Sequence, residues 1–416
     1  MHNPRYGTQL CRNNTLPGSS LAYVIEIACL KSRLLCEHEH RESVRGPTLS
    51  CQISGCSPEV AESLEHSYLS ECDPEDTSES NCNKIRKALR LLSTEDEREG
   101  IEALSIIGPF GSGDEPLWGF EEHPDTLDAV LVEAEGHLGV FPGCRMGDAF
   151  DMGFCKPPGQ DDILVSYGGY FFVQTMMLAI LEGATQGRVT ERRLWRLAMI
   201  KEHYKGHDDY VIPGVDYGPI YDYLDQCPWH LGDMDFKQLL RLGNMYSAED
   251  IAEVLRRRGF WMWMRPDRFP INCVDTPLLN INTRGQDLTS SVLYEGIFKL
   301  PPEIIQSIAL ELNTWDIIAL ASTNKMLYYR ILGNKEVRDS LARVCIHKHA
   351  RWCLPYGEVE LKWWNERKGD DALGWDYLRR CWSESHSMRN RRRIWRAAES
   401  IEAECDRVEA TYEIKL

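Results

Sequence analysis

Apolar positions along this chain recur at helical spacing far more often than they alternate. Over residues 84–280 the signals are mostly helical. Lys84–Leu92 predicts a short helix that stops before Ser93. Leu164–Gly183 carries Phe171, Phe172, Met176, Met177, Ile180 and Leu181, and so much apolar surface predicts a helix enclosed in the core. Thr190 is placed to cap a helix holding Leu194, Leu197 and Ala198. Ser247-Ala-Glu-Asp250 has the form of a capping box, with Asp in place of the usual Glu or Gln. It precedes Ile251, Val254 and Leu255 at helical spacing, and Gly259 stands where that helix would stop. With no internal repeat and no regular exchange of strand and helix, 84–280 reads as a helix-rich domain of unassigned fold with room for a few strands.

The flanks differ. Residues 1–83 mix one short apolar piece, Leu21–Leu35, with polar stretches, and end in the Pro-, Ser- and acid-rich run Glu71–Asn81. So little to bury predicts a partly disordered extension closing in a solvated linker. Residues 281–298 are a polar connector, and 341–416 a helical tail.

Between those two lies Leu300–Leu332. Pro302 sits where the first turn of a helix tolerates a missing N–H, and Ile304, Ile305, Ile308 and Leu312 then share a face. Asn313 and Thr314 interrupt the pattern. Thr314 is read as the cap of a second helix with Ile317, Ile318 and Leu320. Ser322–Asn324 marks another break before Lys325, Met326, Leu327 and Ile331. Three short helices in so small a unit carry more apolar positions than the unit can satisfy alone. It must dock onto the rest of the chain or onto another protein.

In order and spacing, Leu300, Pro301, Glu303, Ile304, Ile305, Ile308, Leu312, Asp316, Ile317, Ile318, Leu320, Thr323 and Lys325 resemble the F-box, over 299–340. Asn324 departs from the pattern, where many members carry Cys or Ser. The likeness covers about a tenth of the chain. It implies a three-helix module that binds a Skp-type adaptor and through it a cullin-RING (SCF) ubiquitin ligase, while the rest of the protein selects a target. On that resemblance Leu300, Pro301, Ile304, Ile305, Ile308, Leu312, Ile317, Leu320 and Leu327 are the adaptor-binding candidates, divided between the interface and the module's own small core. Pro301 is the foremost contact, because a rigid turn without an N–H enters an apolar pocket with little left to order or desolvate. Trp375–Trp382 followed by Ser387–Arg396 is similar to the segment trailing the box in a large group of fungal F-box proteins. The implied mechanism is proximity and orientation, with no covalent step by this chain and so no enzymatic role.

Composition narrows the rest. Lys+Arg 47 against Asp+Glu 64 gives a net charge of −17, which argues against general binding to nucleic acid or to anionic membranes. The longest near-apolar run, Tyr170–Leu181, is short of the ~20 residues that span a bilayer. Met1-His-Asn-Pro-Arg is not followed at once by an apolar stretch, and Val24–Leu30 contains Glu26, so no secretory signal is read and an intracellular location is expected. In that setting the 15 cysteines are expected as reduced thiols, most of them small buried hydrophobes.

Two clusters offer metal ligands: Cys36, His38 and His40 with Cys29, Cys51 and Cys56 nearby, and Cys345, His347, His349 and Cys353. Neither follows a zinc-finger spacing. The second reads first as a helix turning its cysteines inward and its histidines out, so no metal or cofactor is expected. A metal-stabilised interaction module outside ubiquitin ligases is the alternative function. Met388–Arg396 holds five arginines, read as the solvated side of an amphipathic helix on which Ile394, Ala398, Ile401 and Cys405 face inward. Seven of the 12 tryptophans lie at or beyond Trp315, a density that suits either a binding face or packing of the box against the tail. No catalytic constellation emerges. Gly108–Gly113 lacks the Gly-Lys-Ser/Thr ending of a phosphate loop, and nothing around Cys144, Cys155 and His207 supports a thiol hydrolase.

Overall fold

The computed structural model describes residues 51–55, 79–99, 104–112, 115–119, 123–146, 154–156, 159, 163–164, 168–205, 211–218, 247–252, 266–271 and 299–416. The apolar piece Leu21–Leu35, most of the linker, Gly259 and the connector at 281–298 lie outside the described residues. The fold is mainly α with one small sheet.

Helix α1 runs Glu79–Glu99, so it begins inside the expected linker and passes through Ser93. Cys82, Ile85 and Ala88, three residues apart, form its buried face. Strand β1, Leu104–Pro109, is enclosed along its whole length. It lies between β2 (Leu138–Met146) and β5 (Phe171–Gln174), antiparallel to both. The strands β3 (Phe154–Lys156) and β4 (Ile163–Leu164) extend the sheet, giving the order β4-β3-β2-β1-β5. A strand buried on both faces shows no alternation, so Leu-Ser-Ile-Ile lacks the period-2 signature of a half-exposed strand. Its one polar side chain, Ser105, bonds to Thr175 at 2.8 Å.

The long core helix expected over Leu164–Gly183 is not one element: Leu164 ends β4 and the rest divides between a strand and a helix. Phe171 and Phe172 belong to β5, and the helix α3 covers only Thr175–Thr185, with Met177, Ile180 and Leu181 buried. Aromatic and β-branched residues in Tyr170–Val173 favour the pleated surface, and Gly168-Gly169 breaks any earlier helix. Two caps here fall where the sequence places them. Thr190 accepts from the Arg193 N–H at the start of α4 (Glu191–Ile200), and the Ser247 hydroxyl donates to Asp250 while accepting its N–H. A short helix α2, Leu127–Glu133, is capped by Thr126 and packs beside α4.

Helices α5 (Pro302–Leu310), α6 (Thr314–Ser322) and α7 (Lys325–Tyr328) form the three-helix unit. A π-helical turn, Tyr329–Gly333, leads into α8, Lys335–His349. Then come α9 (Gly357–Glu366), α10 (Gly369–Ala372) and α11 (Trp375–Arg379), a second π turn at Arg380–Glu384, and the long α12, His386–Tyr412.

Helix α12 overturns one expectation. Its five arginines do not share a solvated face: Arg391 is fully buried and Arg393 nearly so, Arg389 and Arg392 are half-buried, and Arg396 is exposed, while Ile394, Ala398, Ile401 and Cys405 face inward as expected. Arg391 binds both carboxylate oxygens of Glu360, at 2.8 and 2.7 Å, and donates to the carbonyls of Trp352, Leu354 and Pro266. The rings of Phe269 and Tyr356 flank its guanidinium. Burial pushes the Glu360 carboxyl above its usual range against the pull of Arg391, which marks the desolvation cost of the pair. Another face of α12 meets α3 and α4 beside the sheet, where Lys201 and Arg407 hold Glu404 and Arg193 reaches Asp406 and Glu409. One hydrophobic core therefore runs through the sheet, the three-helix unit and the C-terminal helices. The expected tail is the element around which they assemble.

Candidate functional site

Backbone chemistry sets the entrance to the three-helix unit. Pro301, at φ −55° and ψ 148°, is the N-cap of α5, and its carbonyl receives the N–H groups of Ile304 and Ile305. Arg330 donates to the Leu300 carbonyl at 3.3 Å and ties the Leu-Pro turn to the π-helical segment. Glu303 lies in the first turn, where its charge suits the helix dipole. The second helix is capped by Asn313, not by Thr314. The Asn313 carbonyl oxygen accepts from Trp315 and Asp316, and its amide donates to the Asp316 carboxylate. Thr314 is the first helical residue and turns inward, its hydroxyl 2.9 Å from the Cys345 sulfur of α8. Asn324 caps α7 by accepting from Met326, a capping role that Ser shares.

The nine candidates divide three ways. Ile305, Ile317 and Leu327 are enclosed in the protein's own core and, with the fold closed, present nothing to a partner. Leu300, Leu312 and Leu320 are partly buried and packed against that core. Pro301 and Ile304 are exposed, Ile304 by 47%, and Ile308 one helical turn on is half-buried. The unit thus docks one face on α8 and the π turn, and shows an aliphatic row along α5 on the other. Trp315 stands 39% exposed at the start of α6, edge-on to Trp382 with ring centroids 5.3 Å apart.

Other sequence candidates resolve into packing. Cys345 and Cys353 are buried while His347 and His349 lie exposed in the last turn of α8, as the inward-cysteine reading expects. Burial pushes both thiols up. Among the described residues no three His, Cys, Asp or Glu are placed to hold a metal. Of the first cluster, Cys51 is buried and accepts from the Gln174 N–H, whereas Cys29, Cys36, His38, His40 and Cys56 lie outside the described residues. Cys144 donates to the Phe141 carbonyl, and burial raises its thiol to about 11, unsuited to a nucleophile. His207 lies outside the described residues.

Tryptophan density in the C-terminal half is chiefly packing of the three-helix unit and its followers. Trp352 and Trp382 meet edge to face at 5.4 Å, with the Arg392 guanidinium 4.1 Å from the Trp382 ring. Trp364 is buried against Phe269 and Tyr377, while its neighbour Trp363 is half-exposed beneath Arg367. Among the described residues no helix is long and apolar enough to cross a membrane. The buried Arg391 and Arg393 escaped the sequence, because their carbonyl and carboxylate partners lie far away along the chain. No family model matches this chain, and neither a curated protein nor a solved structure does.

Proposed function

We propose that the chain is a substrate-recognition subunit that binds a Skp-type adaptor through the outer face of α5 and so brings a target to a cullin-RING ubiquitin ligase. The observation that supports this most is the aliphatic row of Pro301, Ile304 and Ile308 on a unit whose opposite face is closed by Ile305, Ala309 and Ile317. Apolar side chains aligned along one exposed helix face suit an apolar groove on a partner, in the manner of helix-in-groove recognition. Leu300, Leu312 and Leu320 form the half-buried margin and hold the row in place. The contribution to ubiquitin transfer is effective concentration and orientation of the target, without a metal, a cofactor or a covalent intermediate on this chain. Such a protein works in the cytoplasm or nucleus.

A continuous core from the unit to the sheet serves this role, since a target held on one part is then fixed relative to the adaptor on the other. A pull-down of the full chain with recombinant Skp-type adaptor tests the reading. Wild type is retained and the double variant Pro301→Ala/Ile308→Asp is lost, with near-UV circular dichroism unchanged. Equal retention of both overturns it.

A further inference from the structure

The main chain at the entrance to α5 has few polar atoms left to satisfy. Pro301 and Pro302 are both exposed, and neither has an N–H to donate. The Pro301 carbonyl is taken by the N–H groups of Ile304 and Ile305, at 3.1 and 3.2 Å. That leaves the Leu300 carbonyl, the one polar atom of the Leu300–Pro301 peptide group. Arg330 reaches it from the π-helical turn Tyr329–Gly333, donating from Nη1 at 3.3 Å. The turn is well placed to hold a donor still. It packs against α5, α6, α7 and α8 alike, Ile331 within it is fully enclosed, and Arg330 itself is half-buried. Wide turns of this kind are rare and recur at functional sites.

A proline turn enters an apolar pocket readily only if its backbone brings in no unpaired polar atom. A carbonyl that loses water and gains no donor weakens the contact. In the free protein water could serve the Leu300 carbonyl, but a partner closing over Pro301 excludes it. Arg330 removes that conflict in advance, because its charge-assisted bond is made within this chain before any partner arrives. From this we infer that Arg330 is a positioning residue of the adaptor site. It keeps the Leu300 carbonyl paired and the Leu-Pro turn fixed while the partner covers Pro301. The pocket this suits is apolar and needs no donor of its own for the Leu300–Pro301 peptide, and the adaptor need not touch Arg330 at all. The inference rests on the adaptor reading and adds to it a residue outside the aliphatic row.

Fluorescence anisotropy of labelled Skp-type adaptor, titrated with the full chain, tests this. Arg330→Met keeps an aliphatic stem and removes the donor. It should lose roughly tenfold in affinity, the scale of one buried carbonyl left unpaired. Arg330→Lys returns a charged donor without the planar fork and should recover to within about threefold of wild type. In a Pro301→Ala background Arg330→Met should cost less than about twofold, whereas a merely structural role gives the same factor in both backgrounds. Should Arg330→Met shift the unfolding transition, Arg330→Gln, whose shorter side chain withdraws the donor, replaces it under the same criteria. A folded variant that binds as well as wild type, or equal factors with and without Pro301, overturns the inference and leaves the adaptor reading intact. Wild type that fails to bind removes the adaptor reading, and the inference with it.

Discussion

The three-helix unit and helix α12 are both helical and both dense in large side chains, yet they carry opposite relations between sequence and surface. In the unit, aliphatic residues of one helical pattern divide between surface and core: Ile304 is 47% exposed while Ile305 beside it is fully enclosed. In α12, arginines that read as surface are inside, with Arg391 enclosed and Arg393 almost so. An exposed aliphatic costs little and is open to contact, whereas a buried guanidinium exists only because its partners are already present. On the proposed reading the first serves as a surface for association, and the second is a structural centre.

That contrast is broken most strongly at the centre. Arg391→Ala leaves Glu360 buried without its counter-ion, and urea denaturation should show a loss of about 3–5 kcal/mol. Replacing both partners, Arg391→Met with Glu360→Leu, should recover most of that loss, which separates the cost of an orphaned charge from the net value of the pair. On the unit, Ile305→Ala should cost ~3 kcal/mol by the same measurement, as a cavity in a closed core does. Ile304→Ala one residue away should stay within roughly 0.5 kcal/mol of wild type.

Smaller effects sharpen the comparison further. Asn324→Ala removes the acceptor for the Met326 N–H and should lower stability by about 1 kcal/mol. On α12, hydrogen bonding to Arg407 and then to Lys201 brings the Glu404 carboxyl down to about 2 from its usual 4.5. A depressed carboxylate contributes its stability fully above the unfolded value, and loses it as pH falls through the folded one. The wild-type melting temperature should therefore fall more steeply between about 4.5 and about 2 than that of Glu404→Gln.

Much of the three-helix unit was legible because its information is local: Pro302 in a first turn, apolar positions at 304, 305 and 308, and interruptions near 313 and 323. Thr314 reads as a cap in the sequence because Thr and Asn both cap well, and only the inward path of its hydroxyl to Cys345 decides between them. The sheet was hidden for another reason. Leu104–Pro109 and Phe171–Gln174 are buried on both sides, so no alternation distinguishes them from enclosed helix. Arg391 was beyond reach of any local pattern, since Glu360, Trp352, Leu354 and Pro266 come together around it only in the folded chain. Within the candidate site the composition of the aliphatic set was visible, but its division into inner and outer residues required the packing against α8.

The central claim is that the outer row of α5 is a protein-binding face, and titration calorimetry of the full chain with purified Skp-type adaptor addresses it most directly. Wild type should bind, and Ile304→Asp should lose roughly a hundredfold in affinity, on the scale of a central interface residue, with an unchanged unfolding transition. Undiminished binding by a well-folded Ile304→Asp variant, or no binding by wild type, would contradict the account.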